Sequence, residues 1–131
     1  MQLSRESKIV CGILLIAIPT IMYGGVTLLG ILTRGVAGLS SGGLELDETQ
    51  WALWRAGHAH AGVIVVLSLI LQPLVDYTAF SNSIKWIARI SAPIASVVLP
   101  AGFFGLAFIT EFKWLMYFCL LYTSPSPRDR G

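Results

Sequence analysis

Three long apolar segments set the terms on which this chain can fold. They run from Ser7 to Leu32, from Trp51 to Val75 and from Ile84 to Ile109. A hydrocarbon layer of about 30 Å is crossed by about twenty apolar residues in a helix. In that layer each backbone N–H and C=O must find its partner within the protein, which a helix achieves inside one segment. Only 12% of the residues are charged, about half the share of a soluble domain. The expected fold is therefore all-α: an integral membrane antiparallel helical bundle. Four helices are expected, over about 7–32, 49–75, 84–109 and from 112 through 118 onward, the last one truncated. Residues 1–118 form a single domain in this reading.

The truncation has a source in the sequence. Phe112 to Leu121 is apolar but too short to cross. The run Cys119-Leu-Leu-Tyr-Thr-Ser-Pro-Ser-Pro-Arg-Asp129 reads as a translated transposon-library sequencing adapter. Residues 119–131 are thus expected to be a non-native tail. Without them, seven basic residues face six acidic ones and the net charge falls from +2 to +1. No basic block remains to suggest nucleic acid as a partner. Cys11 lies inside the first segment and has no partner for a disulfide or a CxxC site once Cys119 is set aside. The first segment is too long for a signal-peptide core and no Ala-x-Ala site follows it, so it reads as an uncleaved helix.

Basic residues near helix ends orient a bundle. Arg5 and Lys8 flank the first segment, and Lys85 and Arg89 the start of the third. With three spans these share one face, expected to be cytoplasmic, which puts the N-terminus inside, in a bacterial inner membrane. Arg34, Glu45, Asp47, Glu48, Glu111 and Lys113 fall on the other face. Loop 1, about Thr33 to Asp47, holds Gly35, Gly38, Ser40, Ser41, Gly42 and Gly43 and reads as flexible and irregular. Asp47 with Gln50 three residues later reads as a capping box for helix 2. Asp76, just past Pro73, reads as a loop cap. Gly57 with Ala61, and Ala88 with Ala92, are small-xxx-small pairs where helices approach closely. Pro19, Pro93 and Pro100 should each free a backbone carbonyl one turn earlier.

The chemistry-bearing motif is Trp51-Ala-Leu-Trp-Arg-Ala-Gly-His-Ala-His-Ala-Gly62, which holds both histidines of the chain. Ionisable groups at the mouth of a membrane helix are costly and mark a bound ion or cofactor, a proton path or a buried partner. His58 and His60 lie about 200° apart on a helix, so they cannot grip one metal ion together, as an i, i+4 pair would. Haem fits the His58 face in three respects. An imidazole ligates iron axially, the small Gly57, Ala61 and Gly62 leave room for a macrocycle, and Arg55 can pair with a propionate. Trp51 and Trp54 fall where interfacial aromatics anchor. Tyr23 in helix 1 is a candidate pocket hydroxyl. A hydrogen-bonded structural histidine and a snorkelling Arg55 are the plainer alternatives.

Residues Trp54-Arg55-Ala56-Gly57-His58-Ala59-His60-Ala61-Gly62 resemble the Trp-x-Arg-Ala-His-Ser-Gly segment opening helix 2 of the small four-helix membrane enzymes of the styrene oxide isomerase type. The order of helices and loops is similar over about residues 5–118, and specific residues match near 54–62. The resemblance implies b-type haem, held by a helix-2 histidine between subunits of a homo-oligomer, a trimer in that family. It also implies isomerisation of a small apolar epoxide to an aldehyde, with ferric haem as Lewis acid. The carried-over cofactor residues are His58, Arg55, Trp54, Ala61 and Gly62, with His60 as the alternative axial ligand. The chain departs from the pattern in inserting Gly57, in carrying a second histidine, and in having Val63 to Val66 where the family has an asparagine. Two other functions stay open. One is a non-enzymatic bundle, a sensor, transporter or assembly subunit, whose histidines respond to pH or a metal. The other is a fragment of an electron-transfer complex.

Overall fold

The computed structural model describes residues 2–39 and 44–121, with side chains through Tyr117. Among these there are four α-helices and no strands: α1 (Arg5–Leu32), α2 (Glu48–Asp76), α3 (Asn82–Leu106) and α4 (Lys113–Leu121), with one 3-10 turn, Thr110–Phe112, before α4. The first three are long and apolar enough to cross a membrane, by length and composition. α2 is central: it packs along both α1 and α3, which barely touch each other, and α4 lies against α3. Most of the tail expected to be foreign, and Ser40–Gly43 of loop 1, lie outside the described residues.

The ends of the helices follow from local chemistry. Ser4 caps α1 by accepting the Ser7 N–H. Asp47 and Gln50 form the expected capping box, with Gln50 N–H donating to Asp47 Oδ1 at 2.8 Å and Asp47 N–H to Gln50 Oε1 at 3.0 Å. α1 ends in a Schellman motif: Arg34 takes the left-handed conformation, φ 52°, and Gly35 N–H reaches the Gly30 carbonyl at 2.7 Å. The next residues, Val36–Leu39, run as bends without regular secondary structure, as their composition suggested. Leu39 N–H donates to the Val26 carbonyl, laying Val36–Leu39 back along α1. A Cβ on Gly30 would overlap the Leu39 carbonyl, so that glycine permits the close approach.

The third helix stops at Leu106, short of the expected Ile109. Phe108 and Ile109 N–H both donate to the Gly105 carbonyl, at 3.0 and 2.8 Å, and Ile109 is extended. The turn brings the Phe112 ring onto Gly105, where any side chain would collide with it. Packing of that ring on Gly105 accompanies the end of the helix three residues early. The freed Ala107 carbonyl accepts from Gln50 Nε2 at 2.9 Å, so one glutamine both completes the α2 cap and ties the start of α2 to the end of α3.

The interior mixes apolar residues such as Leu14, Val65 and Val75 with fully buried polar ones, and the exterior is largely apolar. Ser7, Ser68 and Gln72 are 0% exposed, whereas Ile16, Met22, Tyr23, Leu67 and Val97 are more than half exposed. Arg89, 5% exposed, organises one end. Its guanidinium pairs with Asp76 of α2 and donates to Ser7 Oγ at 3.3 Å and Ser4 Oγ at 3.2 Å. Asp76 also accepts the Ser4 N–H at 2.9 Å. It is thus the last residue of α2 and an ion-pair partner, not the loop cap its position suggested, because Arg89 needs a counter-charge. Arg89 is likewise buried in the bundle and not a marker at its boundary. Pro93 has no N–H for the Arg89 carbonyl one turn earlier, and Gln72 Nε2 takes that carbonyl at 3.1 Å.

Removing one member of a buried ion pair strands the other and costs about 3–5 kcal/mol. Arg89→Ala should therefore lower the thermal unfolding midpoint in detergent steeply. The double substitution Arg89→Met with Asp76→Leu should recover much of that loss. Circular dichroism melting of the three proteins checks both statements.

Candidate functional site

The histidine motif forms the second to fourth turns of α2, held in place by the Gln50 tie to α3. Gly57 is buried against Phe103 and Phe104; a Cβ there would come within 2.9 Å of the Phe104 ring. That contact sets the rotation of α2 against α3. It turns His58 toward α1 and His60 to the flank of α3.

His58 lines an apolar cleft of about 570 Å³ between α1 and α2. Its walls are Tyr23, Gly24 and Thr27 from α1, Trp54 and Ala61 from α2, and Phe104 from α3. The imidazole rests on paired glycines. A Cβ on Gly25 would stand 2.9 Å from His58 Nε2, and one on Gly24 would stand 4.0 Å from Nδ1. Among the described residues neither ring nitrogen has a hydrogen-bond partner, which leaves the imidazole chemically unspent beside an apolar space. Trp54 packs edge-on to Phe104 and Phe108, at 5.5 and 6.0 Å between ring centroids. Its Nε1 is buried without a partner.

His60 is different in kind. Its Nδ1 lies 2.7 Å from the Ala56 carbonyl, and its ring stacks on Phe103 at 4.9 Å. A carbonyl only accepts, so Nδ1 carries the proton and Nε2 keeps its lone pair. That side chain is exposed. Such a second-nitrogen bond is how a metal-ligating histidine is commonly oriented.

Of the residues singled out in the sequence, the structure brings Trp54, His58, Ala61 and Tyr23 to one cleft. Arg55 is exposed and Gly62 faces open space, and neither lines it. Val63 and Val66 are also exposed. Among the described residues no three of His, Cys, Asp or Glu converge as a metal site. Sequence reading missed Gly24 and Gly25 as the floor for His58, since nothing local to helix 1 says which residue of another helix will rest on them. It also missed Phe103 and Phe104, whose pairing with Gly57 becomes visible only when α2 and α3 pack.

Comparison with protein-family models, curated proteins and solved structures gives no match.

The glycine floor gives a test of the geometry. Gly25→Ala puts a methyl group into the space that His58 Nε2 occupies, so the His58 ring must move. The His58 imidazole resonances should shift in NMR spectra of the variant, while those of His60 stay in place.

Proposed function

We propose that this chain is an integral membrane, antiparallel helical bundle that binds b-type haem through a helix-2 histidine, with His58 as the ligand. Membrane placement is supported by three apolar helices around buried polar residues, with large aliphatic side chains facing outward. The observation carrying the cofactor is an imidazole without a hydrogen-bond partner among the described residues, in an apolar cleft of about 570 Å³, a size common for small-molecule and cofactor sites.

The residues fit haem in kind. His58 supplies the nitrogen donor, the glycine pair and Ala61 keep bulk away, and Trp54, Leu28 and Phe104 exclude water. Arg55, exposed one turn before His58, is free to meet a propionate. Ferric haem, when bound, supplies the Lewis acidity that opens an epoxide in the styrene oxide isomerase-type enzymes. Small apolar epoxides are accordingly the proposed substrates. The cleft would hold such a molecule by apolar contact, with the Tyr23 hydroxyl and Thr27 as nearby polar groups. A homo-oligomer in a bacterial inner membrane, with a cytoplasmic N-terminus, completes the reading.

His60 supports a second reading. Its proton is held on Nδ1 by the Ala56 carbonyl, which leaves Nε2 with its lone pair on an exposed side chain, where a second copy could share a haem. A non-enzymatic bundle with responsive histidines is the remaining alternative.

Absorption spectroscopy of the full chain, purified in mild detergent from haem-replete cells, separates these. A Soret band lost in His58→Ala and kept in His60→Ala is the expected result. Loss only in His60→Ala moves the ligand to the outer face. Folded protein without a Soret band overturns haem binding and leaves the histidines to sensing or structure.

A further inference from the structure

A second cavity, about 500 Å³, lies at the other end of α2, where the three long helices meet. Ser4 and Glu6, Asp76, and Asn82, Lys85 and Arg89 contribute to its walls. Arg89 and Asp76 neutralise each other, and theirs is the one ion pair among the described residues. Two half-buried charges of opposite sign therefore remain on the walls, Glu6 and Lys85, neither paired with another described residue. Had they closed on each other the space would be filled. Kept apart, they present an anion receptor and a cation receptor in one cavity.

The rim is built for an amphiphile. Trp86 lines the cavity and is 46% exposed, as an aromatic at headgroup depth would be. Beyond it α1 exposes Ile9 and Ile13, and α3 exposes Ile87 and Ile90. We infer that this cavity seats the headgroup of a membrane phospholipid carrying a phosphate and a primary ammonium. Lys85 meets the phosphate, and the Glu6 carboxylate accepts from the ammonium. The acyl chains lie along the exposed isoleucines. A primary ammonium offers three N–H donors to a carboxylate, which a trimethylammonium lacks. A purely anionic headgroup would leave Glu6 facing like charge. The inference rests on the membrane placement proposed above and is independent of haem.

Native mass spectrometry of the full chain in micelles doped with phosphatidylethanolamine, phosphatidylcholine or phosphatidylglycerol tests it. Phosphatidylethanolamine should be retained about five-fold over the other two, the scale of one favourable charge contact. Glu6→Gln should erase its advantage over phosphatidylcholine, and Lys85→Gln should lower its retention about as much. Asn82→Asp adds an acid to the first turn of α3, where it suits the helix end but repels phosphate. That variant should lose lipid while its melting midpoint holds or rises, which separates binding from folding. Equal retention of the three lipids, an unchanged preference in Glu6→Gln, or displacement by inorganic phosphate alone overturns the inference. Recovery of the protein in the soluble cell fraction would instead overturn the membrane placement.

Discussion

A guanidinium buried in an otherwise apolar helix is the constraint on which this bundle turns. Arg89 sits two turns into α3 at 5% exposure, where an unpaired charge would be costly. Its requirement is met from both neighbouring helices, by Asp76 of α2 and by Ser4 and Ser7 at the start of α1. Three helices are thereby fixed in height and rotation at one end. The Ser7 hydroxyl reaching the Gln72 carbonyl and Gln72 Nε2 reaching the Arg89 carbonyl extend the same network without a further charge. Apolar packing alone sets helix register weakly when the surroundings are equally apolar. Directional polar contacts supply what dispersion does not.

The other end is held by lighter means. Gln50 spans from the α2 cap to the last carbonyls of α3, and Gly57 lets the Phe103–Phe104 pair close against α2. Between these two anchored ends, α2 presents His58 to the glycine pair of α1 and His60 to Phe103. Two histidines two residues apart thus have unlike surroundings. One lines an apolar cleft without a hydrogen-bond partner among the described residues, and the other is exposed and oriented by a carbonyl. Each neutral ring keeps one nitrogen lone pair, and the division lies in what surrounds it: an apolar cleft for His58 and an exposed flank for His60.

Proline placement shows how a sequence feature acquires its meaning from packing. Pro93 leaves the Arg89 carbonyl without a helical donor, as any internal proline does to the residue one turn back. α3 nevertheless remains helical from Asn82 to Leu106. The vacancy is filled by Gln72 from α2, so it serves as an interhelical attachment point.

The three apolar helices, the capping box at Asp47 and Gln50, and the divergence of His58 from His60 were determined by the sequence alone. Each depends on segment length, on contacts within four residues, or on the 100° step of a helix. Arg89 carried a signal too, since an ionisable residue inside an apolar segment asks for a partner; its sequence neighbourhood suggested a boundary residue instead. Tertiary structure decided the rest: that Asp76 is the counter-charge, that α3 ends at Leu106 with Phe112 packed on Gly105, that Gly24 and Gly25 carry His58, and that Arg55 stays outside the cleft. These depend on which faces of separate helices meet, and that choice is made by complementary shape and by satisfying buried polar groups over distances of up to 85 residues along the chain.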